Sequence, residues 1–110
     1  MINKVVYSHW SKPAKDDCVG FNTKEAFANS AKLSALMSKR WADEVELVTD
    51  KKGYDLLVKD LKIPFDNVKV ELDTLNKIDR KFWAIGKLHA CLLQDKPFMH
   101  LDMDAFWFKK

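Results

Sequence analysis

Short apolar runs recur along the chain and predict a series of strands. The runs cover residues 5–7, entered from Ile2, and then residues 45–49, 68–72 and 98–101. Runs of this length that are bounded by polar or turn residues are typical of strands within a sheet. The run at 68–72 alternates apolar and charged residues, which is typical of a strand with one buried face.

The segment after the first strand has the spacing of one long amphipathic helix. Asn22, followed three residues later by Glu25, resembles a capping box, which satisfies backbone amide donors where a helix starts. We therefore expect a helix that begins there and buries one apolar face. The residues predicted to form that face are Ala26, Leu33, Leu36, Met37 and Trp41.

Two further helices are predicted downstream. After a turn at 51–53, apolar residues at i, i+3, i+4 and i+7 predict a short helix over 54–61, which Pro64 stops. The segment from about 79 to 94 is helical in pattern and apolar almost all round, with Lys87 among its few polar interruptions. A helix of that kind is buried on more than one side.

The alternation of strands and helices predicts the fold class. The order β-α-β-α-β-α-β favours an α/β fold with a three-layer α-β-α arrangement, in which a mostly parallel sheet has right-handed crossovers. The 110 residues fit a single domain over 1–110, and 47% of them are hydrophobic, which is enough for a core. In such sheets ligands bind at the carboxyl ends of the strands. Polar residues follow three of the predicted strands: Ser8 with His9, Asp50, and Asp102 with Asp104.

Charge and composition exclude several classes of protein. The net charge is only +3, and the basic residues form no stripe, so nucleic-acid binding is not expected. Cys18 and Cys91 are not spaced like metal ligands, and we expect both to be reduced in a cytoplasmic protein. The apolar runs are too short for a membrane span or a signal peptide.

The pair formed by Asp102 and Asp104 is the strongest chemical feature of the chain. Two carboxylates at i and i+2 converge on one cation, and oxygen ligands suit Mn²⁺ or Mg²⁺, which commonly also bind substrate phosphates. Such a metal neutralises a leaving diphosphate. Chance alone yields an Asp-x-Asp triplet on the order of once in a chain this rich in aspartate, so its position after an apolar strand carries the weight. A solvated turn is the alternative interpretation.

The residues around this pair resemble a known family. The matching stretches are 86–94, which contains Lys87-Leu88, and 97–107, which contains Asp102-Met103-Asp104. They are similar to the donor-site segment of GT-A glycosyltransferases, and most similar to the glycogenin-like retaining group. That group has a Lys-Leu pair on a buried helix, a short link, an apolar strand and an Asp-x-Asp motif. The resemblance implies hexosyl transfer from a nucleotide-diphospho-sugar donor.

The resemblance also implies roles for the motif residues. Asp102 would lie near the nucleotide ribose and the metal, and Asp104 would coordinate the metal bound to the diphosphate. Lys87, on the preceding helix, would approach the donor. The predicted metal ligands are therefore Asp102 and Asp104, with Mn²⁺ or Mg²⁺ as the cofactor and a nucleotide-diphospho-sugar as the partner.

Further donor-binding residues follow from the strand ends. In the family that the chain resembles, the end of the first strand and its loop hold the nucleotide, which implicates Tyr7, Ser8 and His9. Asp50, at the end of the second strand, would lie near the base or the ribose by position alone. These residues join Lys87 and Asp102 in the predicted donor site.

Each of these assignments has a structural alternative. Lys87 would then only extend its ammonium from a buried helix to the solvent, and His9 would be a hydrogen-bonded loop residue. Asp50 would cap the helical turn that follows it. His100 shares a face with Asp102 in a regular strand, so it is either a metal ligand or, as we expect, a hydrogen-bonded core histidine.

The chain ends at Lys110, shortly after the motif. GT-A enzymes continue and supply the acceptor site, so we expect the donor part of a glycosyltransferase, truncated after the motif. A non-catalytic fragment or interaction domain remains the main alternative. A phosphohydrolase that uses Asp-x-Asp as nucleophile and acid is less favoured, because it carries this motif after its first strand. Unpaired sheet edges and the aromatic run 106–108 predict self-association.

Overall fold

Strands and helices alternate along the chain around a parallel sheet. A computed structural model of the protein describes residues 2–11, 23–79, 82 and 84–103. The strands are β1 (Ile2–His9), β2 (Ala42–Thr49), β3 (Asn67–Val70) and β4 (Met99–Leu101). The α-helices are α1 (Lys24–Trp41), α2 (Lys51–Tyr54) and α3 (Ile85–Leu92). A π-helical segment (Asp55–Asp60) continues α2, and a 3₁₀ turn (Leu72–Leu75) follows β3. The predicted α/β class with a parallel sheet is confirmed.

The strands of the described ranges form one sheet in the order β3-β2-β1-β4, and every neighbouring pair is parallel. β1 pairs with β2 up to His9, which lies opposite Thr49. On its other side β1 pairs with β4, where Tyr7 lies opposite Leu101. Since β1 lies between them, its carboxyl end is next to the carboxyl ends of both β2 and β4.

Alternate residues of the strands pack into two hydrophobic cores, as expected when successive side chains point to opposite faces of a sheet. The first core contains Val5, Tyr7, Phe27, Ala31, Ala35, Val45, Leu47, Leu56, Leu57 and Ile63. The second core contains Val6, Trp10, Val48, Leu72, Leu75 and Ala90. Helical segments therefore cover both faces of the sheet. The helix α1 and the π-helical segment pack on the face of the first core, and the 3₁₀ turn and α3 pack on the face of the second core.

The buried face of α1 differs from the predicted one. Leu33 and Leu36 were expected to be buried, but both are exposed. The buried face instead carries Phe27, Ala31 and Ala35. Alanine has little apolar area to bury, but its small side chain lets a helix approach a sheet closely, as a close-packed interior requires. The two leucines were therefore a misleading guide to the orientation of this helix.

The start of α1 also differs from its prediction. Thr23 is the N-cap residue, and its hydroxyl accepts a hydrogen bond from the backbone N–H of Ala26 at 3.0 Å. The predicted capping box of Asn22 and Glu25 is therefore wrong by one position. The threonine hydroxyl accepts a hydrogen bond from a backbone N–H that has no partner within the helix, which is the role expected of the asparagine side chain. Glu25 lies in the first turn, where its charge is favourable for the helix dipole.

The predicted turn at 51–53 is instead the beginning of α2. Asp50 caps this helix, because its carboxylate accepts a hydrogen bond from the backbone N–H of Gly53 at 2.8 Å. Two lysines followed by a glycine are typical of a turn. Here, however, Asp50 precedes them, and an aspartate at this position caps the start of a helix. The helical region thus begins at Lys51, ahead of the predicted start at 54.

Several strand bounds differ from the predictions by a few residues. β1 continues to His9, and β2 begins at Ala42, so both are longer than predicted. β3 ends at Val70, and Leu72, predicted as its last residue, begins the 3₁₀ turn and is buried in the second core. An apolar residue just after a strand looks like its continuation, although here it packs across the face of the sheet.

The third helix is shorter and less buried than predicted. The α3 helix occupies only the central part of the predicted segment 79–94. Gly86 and Ala90 are buried, whereas Leu88 and Leu92 are 63% and 83% exposed. The prediction that this helix is buried on more than one side is therefore wrong within the described residues. Its second apolar face points to the solvent.

The sheet also contains a buried cluster of charged and amide side chains. Glu46 is completely buried, and its carboxylate lies 3.3 Å from the Lys4 ammonium and 3.5 Å from that of Lys69. The side-chain amides of Asn67 and Gln94 each donate to it at 2.7 Å. Burial would raise the pKa of Glu46, but the Gln94 hydrogen bond and the two lysine charges outweigh it and lower the pKa below its ordinary value. These five residues are the Glu46 cluster.

Candidate functional site

The carboxyl ends of β1 and β4 lie side by side, and they form the candidate site. The helices near these two strands lie on opposite faces of the sheet, since α1 borders the first core and α3 the second. In an open α/β sheet, the crevice at such a point is where ligands bind. Polar side chains meet there from β1, α3 and β4. The carboxyl-end cluster consists of Ser8, Lys87, His100 and Asp102.

A hydrogen bond joins the two strands within this cluster. The Ser8 hydroxyl and the His100 Nε2 atom lie 2.9 Å apart. Burial lowers the pKa of His100, the Lys87 charge lowers it further, and the Asp102 charge opposes the shift. His100 is therefore neutral at neutral pH, in which form its ring both donates and accepts hydrogen bonds. The expected hydrogen bond of His100 is confirmed, but the residue is half-buried and not a core residue.

Lys87 and Asp102 form the ion pair of the site. The Lys87 ammonium lies 2.7 Å from Asp102 Oδ1, and the two side chains are 40% and 56% exposed. Two residues that the sequence placed in one predicted donor site are thus in contact in the structure, where α3 and β4 come together. Because both remain open to solvent, a ligand can reach the carboxylate and the ammonium together.

Gly86 allows α3 to approach the end of β1 closely. A Cβ atom at this position would lie 2.9 Å from the Cβ of Trp10, closer than ordinary contacts permit. Trp10 is itself held by a hydrogen bond from its indole N–H to the Asn76 side-chain oxygen at 2.9 Å. The absence of a side chain at Gly86 therefore lets the start of α3, which carries Lys87, pack directly against Trp10.

The turn after β4 is attached to α1. The Ser30 hydroxyl donates a hydrogen bond to the Met103 carbonyl at 2.9 Å, and the Met103 side chain packs against the first core. Met103 is the middle residue of the Asp-x-Asp triplet. Asp104, the predicted second metal ligand, lies outside the described residues, as does the aromatic run 106–108 predicted to mediate self-association.

Tyr7 lies apart from this cluster. Its ring is buried in the first core, and its hydroxyl is 2.7 Å from the hydroxyls of Ser34 and Ser38 on α1. Burial raises the pKa of Tyr7, while the two serine hydrogen bonds oppose the shift. Its nucleotide-binding role stays a prediction, and its observed contacts join the sheet to α1.

His9 is also directed toward the α1 side of the sheet. Its ring packs against Phe27, with 5.9 Å between the ring centroids, and its carbonyl accepts a hydrogen bond from Thr49 at 2.7 Å. A Cβ at position 53 would overlap Thr49 Oγ1 and lie 2.7 Å from the His9 ring, so only glycine fits there. The imidazole is buried. Its predicted donor contact is untested.

Asp50 joins the ends of β1 and β2. One carboxylate oxygen accepts from the Ser11 hydroxyl at 2.9 Å and from the Gly53 amide at 2.8 Å, and the other accepts from the Ser11 amide at 2.8 Å. The capping role considered as its alternative is confirmed. Both oxygens are engaged and the side chain is buried, so Asp50 holds Ser11 beside the start of α2, while its nucleotide role stays a prediction.

Sequence reasoning missed the contribution of α1 to this region. Ser30, Ser34 and Ser38 are spaced by four residues, so they lie along one face of the helix. Ser34 and Ser38 hydrogen-bond the Tyr7 hydroxyl on β1, and Ser30 hydrogen-bonds the Met103 carbonyl after β4. Serine at helical spacing on the buried face of a helix was the signal that a search for apolar residues overlooked.

The donor chemistry of the cluster fits a hard divalent cation. Mg²⁺ and Mn²⁺ are commonly held by one or two carboxylates together with substrate phosphates and water. Asp102 offers such a half-exposed carboxylate, although its Oδ1 atom is paired with the Lys87 ammonium, which a cation would have to displace or share. The described residues contain no group of three or more histidine, cysteine, aspartate or glutamate side chains that could hold a metal by themselves.

Comparison with known proteins places the chain in a family. No helix in the described part of the chain is long and apolar enough to cross a membrane. Neither a curated protein nor a solved structure matches the chain. A family model described as "Family of unknown function (DUF6734)" matches residues 3–110. Because the match covers nearly the whole sequence, the chain belongs to the DUF6734 family.

Proposed function

We propose that this chain binds a nucleotide-diphospho-sugar and is the donor-binding part of a glycosyltransferase with a three-layer, GT-A-like fold. The observation that carries the proposal is the contact between Lys87 and Asp102 at the carboxyl end of β4. It joins an ammonium group, which pairs with phosphate, to a carboxylate, which pairs with a divalent cation. Both groups lie at the carboxyl end of the sheet, close to β1, and α/β sheets commonly bind their ligands at this end.

In the proposed site, Asp102 and Asp104 hold Mn²⁺ or Mg²⁺, and that metal supplies charge neutralisation for the departing diphosphate. Lys87 exchanges its partner, from the Asp102 carboxylate to a phosphate oxygen of the donor. Breaking the Lys87–Asp102 contact costs little free energy, because an ion pair this exposed contributes little to the stability of the fold. Ser8 and His100 keep β1 and β4 in register beneath the ligand through their 2.9 Å hydrogen bond.

The test is calorimetry with Mn²⁺ and a panel of UDP, GDP, ADP and CDP, each with and without an attached hexose. We expect one nucleotide to bind only when Mn²⁺ is present. Asp104→Ala and Asp102→Ala should each abolish that binding, whereas Asp60→Ala, which removes an exposed carboxylate at the end of the π-helical segment, should leave it unchanged. Absence of metal-dependent binding across the whole panel would contradict the proposal.

A further inference from the structure

We propose that Ser30 is a positioning residue for the Asp-x-Asp motif, acting from α1 through the Met103 carbonyl. This inference rests on the proposed function, since it assumes that the motif holds a divalent cation. Its physical basis is the 2.9 Å hydrogen bond from the Ser30 hydroxyl to that carbonyl. Ser30 does not touch the metal or the donor in this proposal, and it acts only by fixing the backbone between the two aspartates.

The bond is placed where it restrains the motif most directly. A hydrogen bond to the Met103 carbonyl restrains the orientation of the backbone at the residue that directly follows Asp102. The two carboxylates converge on one cation only if the backbone between them holds a single conformation. The Met103 side chain adds a second restraint by packing against the first core.

Three different elements hold the end of β4. Ser8 on β1 bonds His100, Lys87 on α3 pairs with Asp102, and Ser30 on α1 bonds Met103. The Lys87 contact must open when Asp102 takes up a cation. The Ser30 contact uses a backbone carbonyl that is not a proposed ligand, so it persists while the metal is bound. It therefore orients the motif in both states.

Neighbouring serines on the same helix provide the matched comparison. Ser34 and Ser38 lie one and two turns further along α1, and both bond the Tyr7 hydroxyl at 2.7 Å within the first core. Removing the hydroxyl of Ser34 takes away a bond of the same kind from the same helix, but its partner is in the core. The two positions thus separate stabilisation of the fold from orientation of the motif.

The experiment measures Mn²⁺ affinity by electron paramagnetic resonance, with the nucleoside diphosphate of the panel that the wild-type chain binds. The variants are Ser30→Thr and Ser30→Val, which have the same shape and differ in the hydroxyl, together with Ser30→Ala and Ser34→Ala. We expect Ser30→Thr to bind like the wild type, and Ser30→Val and Ser30→Ala to lose about tenfold in Mn²⁺ affinity, as is typical when the support of a metal ligand is removed.

Thermal unfolding of the same variants distinguishes orientation from stability. Alanine is the best helix former, so Ser30→Ala should remain folded with little change in Tm. Ser34→Ala should lower Tm and leave Mn²⁺ affinity unchanged. Equal affinities for Ser30→Val and Ser30→Thr would overturn the positioning role alone. If the wild-type chain binds no metal with any nucleotide, the proposed function and this inference both fail.

Discussion

The Glu46 cluster and the carboxyl-end cluster lie on the same face of the sheet, because Val6 is opposite Glu46 on one side and opposite His100 on the other. They nevertheless differ sharply in exposure. Glu46 is completely buried, and lysine and amide groups surround its carboxylate. Asp102 is 56% exposed and forms an ion pair with Lys87, which is 40% exposed. Both carboxylates are therefore paired with lysine, but one pair is shielded from water and the other is open to it.

The difference separates charges that stabilise the fold from charges available to a ligand. A buried carboxylate is tolerated only if it is paired and hydrogen-bonded, and then removing one partner is costly. An exposed ion pair contributes little to folding, because water competes for both groups. The carboxyl-end cluster is therefore the place where a side chain can change partners without unfolding the chain.

The largest expected effect is at the buried cluster. Glu46→Ala leaves the Lys4 ammonium, which is also buried, without its closest carboxylate, and we expect a loss of about 3–5 kcal/mol in the free energy of unfolding. Urea denaturation measures this loss. The control is Glu44→Ala on the same strand, which removes a more exposed partner of Lys4 and should cost less than about 1 kcal/mol. Equal losses for the two variants would show that burial does not distinguish them.

A smaller effect of the same cluster is expected in acid. The pKa of Glu46 is lower in the folded chain than its ordinary value of 4.5, so protonation favours the unfolded chain. The stabilisation is complete above about pH 4.5 and is lost as the pH falls from there toward the folded pKa. Denaturation of the wild type and of Glu46→Gln between pH 7 and pH 3 tests this. The pH dependence of the variant should be shallower, and parallel curves would contradict the assignment to Glu46.

The coarse fold was predictable from the sequence because strand and helix periods depend on local apolar spacing. The face of α1 was not, since orientation depends on which side packs most closely, and Ala31 and Ala35 pack more closely than Leu33 and Leu36. The burial of Glu46 could not be predicted from the sequence, for a related reason. Its partners Lys4 and Gln94 are far from it in the chain, and only the sheet brings them together.

The candidate site was predictable in part. The sequence singled out Ser8, Lys87 and Asp102, and the packing of α3 and β4 against β1 brings them into one cluster. Tyr7 and Asp50 were named from the same strand ends; their side chains lie outside this cluster and bond Ser34, Ser38, Ser11 and Gly53, and their nucleotide roles stay predictions. Position along a strand predicts which end a residue occupies, whereas the direction of its side chain depends on contacts distant in sequence.

The smallest expected effect on stability is at the exposed ion pair. Lys87→Ala breaks the contact with Asp102, but both side chains are about half exposed, so the free energy of unfolding should change by less than about 1 kcal/mol. The change should shrink further in high salt, which screens exposed charges, and alanine's helix propensity should offset part of it. Urea denaturation at low and high salt measures both, with Leu88→Ala on the exposed face of α3 as the control. A loss comparable to that of Glu46→Ala would mean that the carboxyl-end cluster supports the fold in the same way as the buried one, and the distinction between the two clusters would not hold.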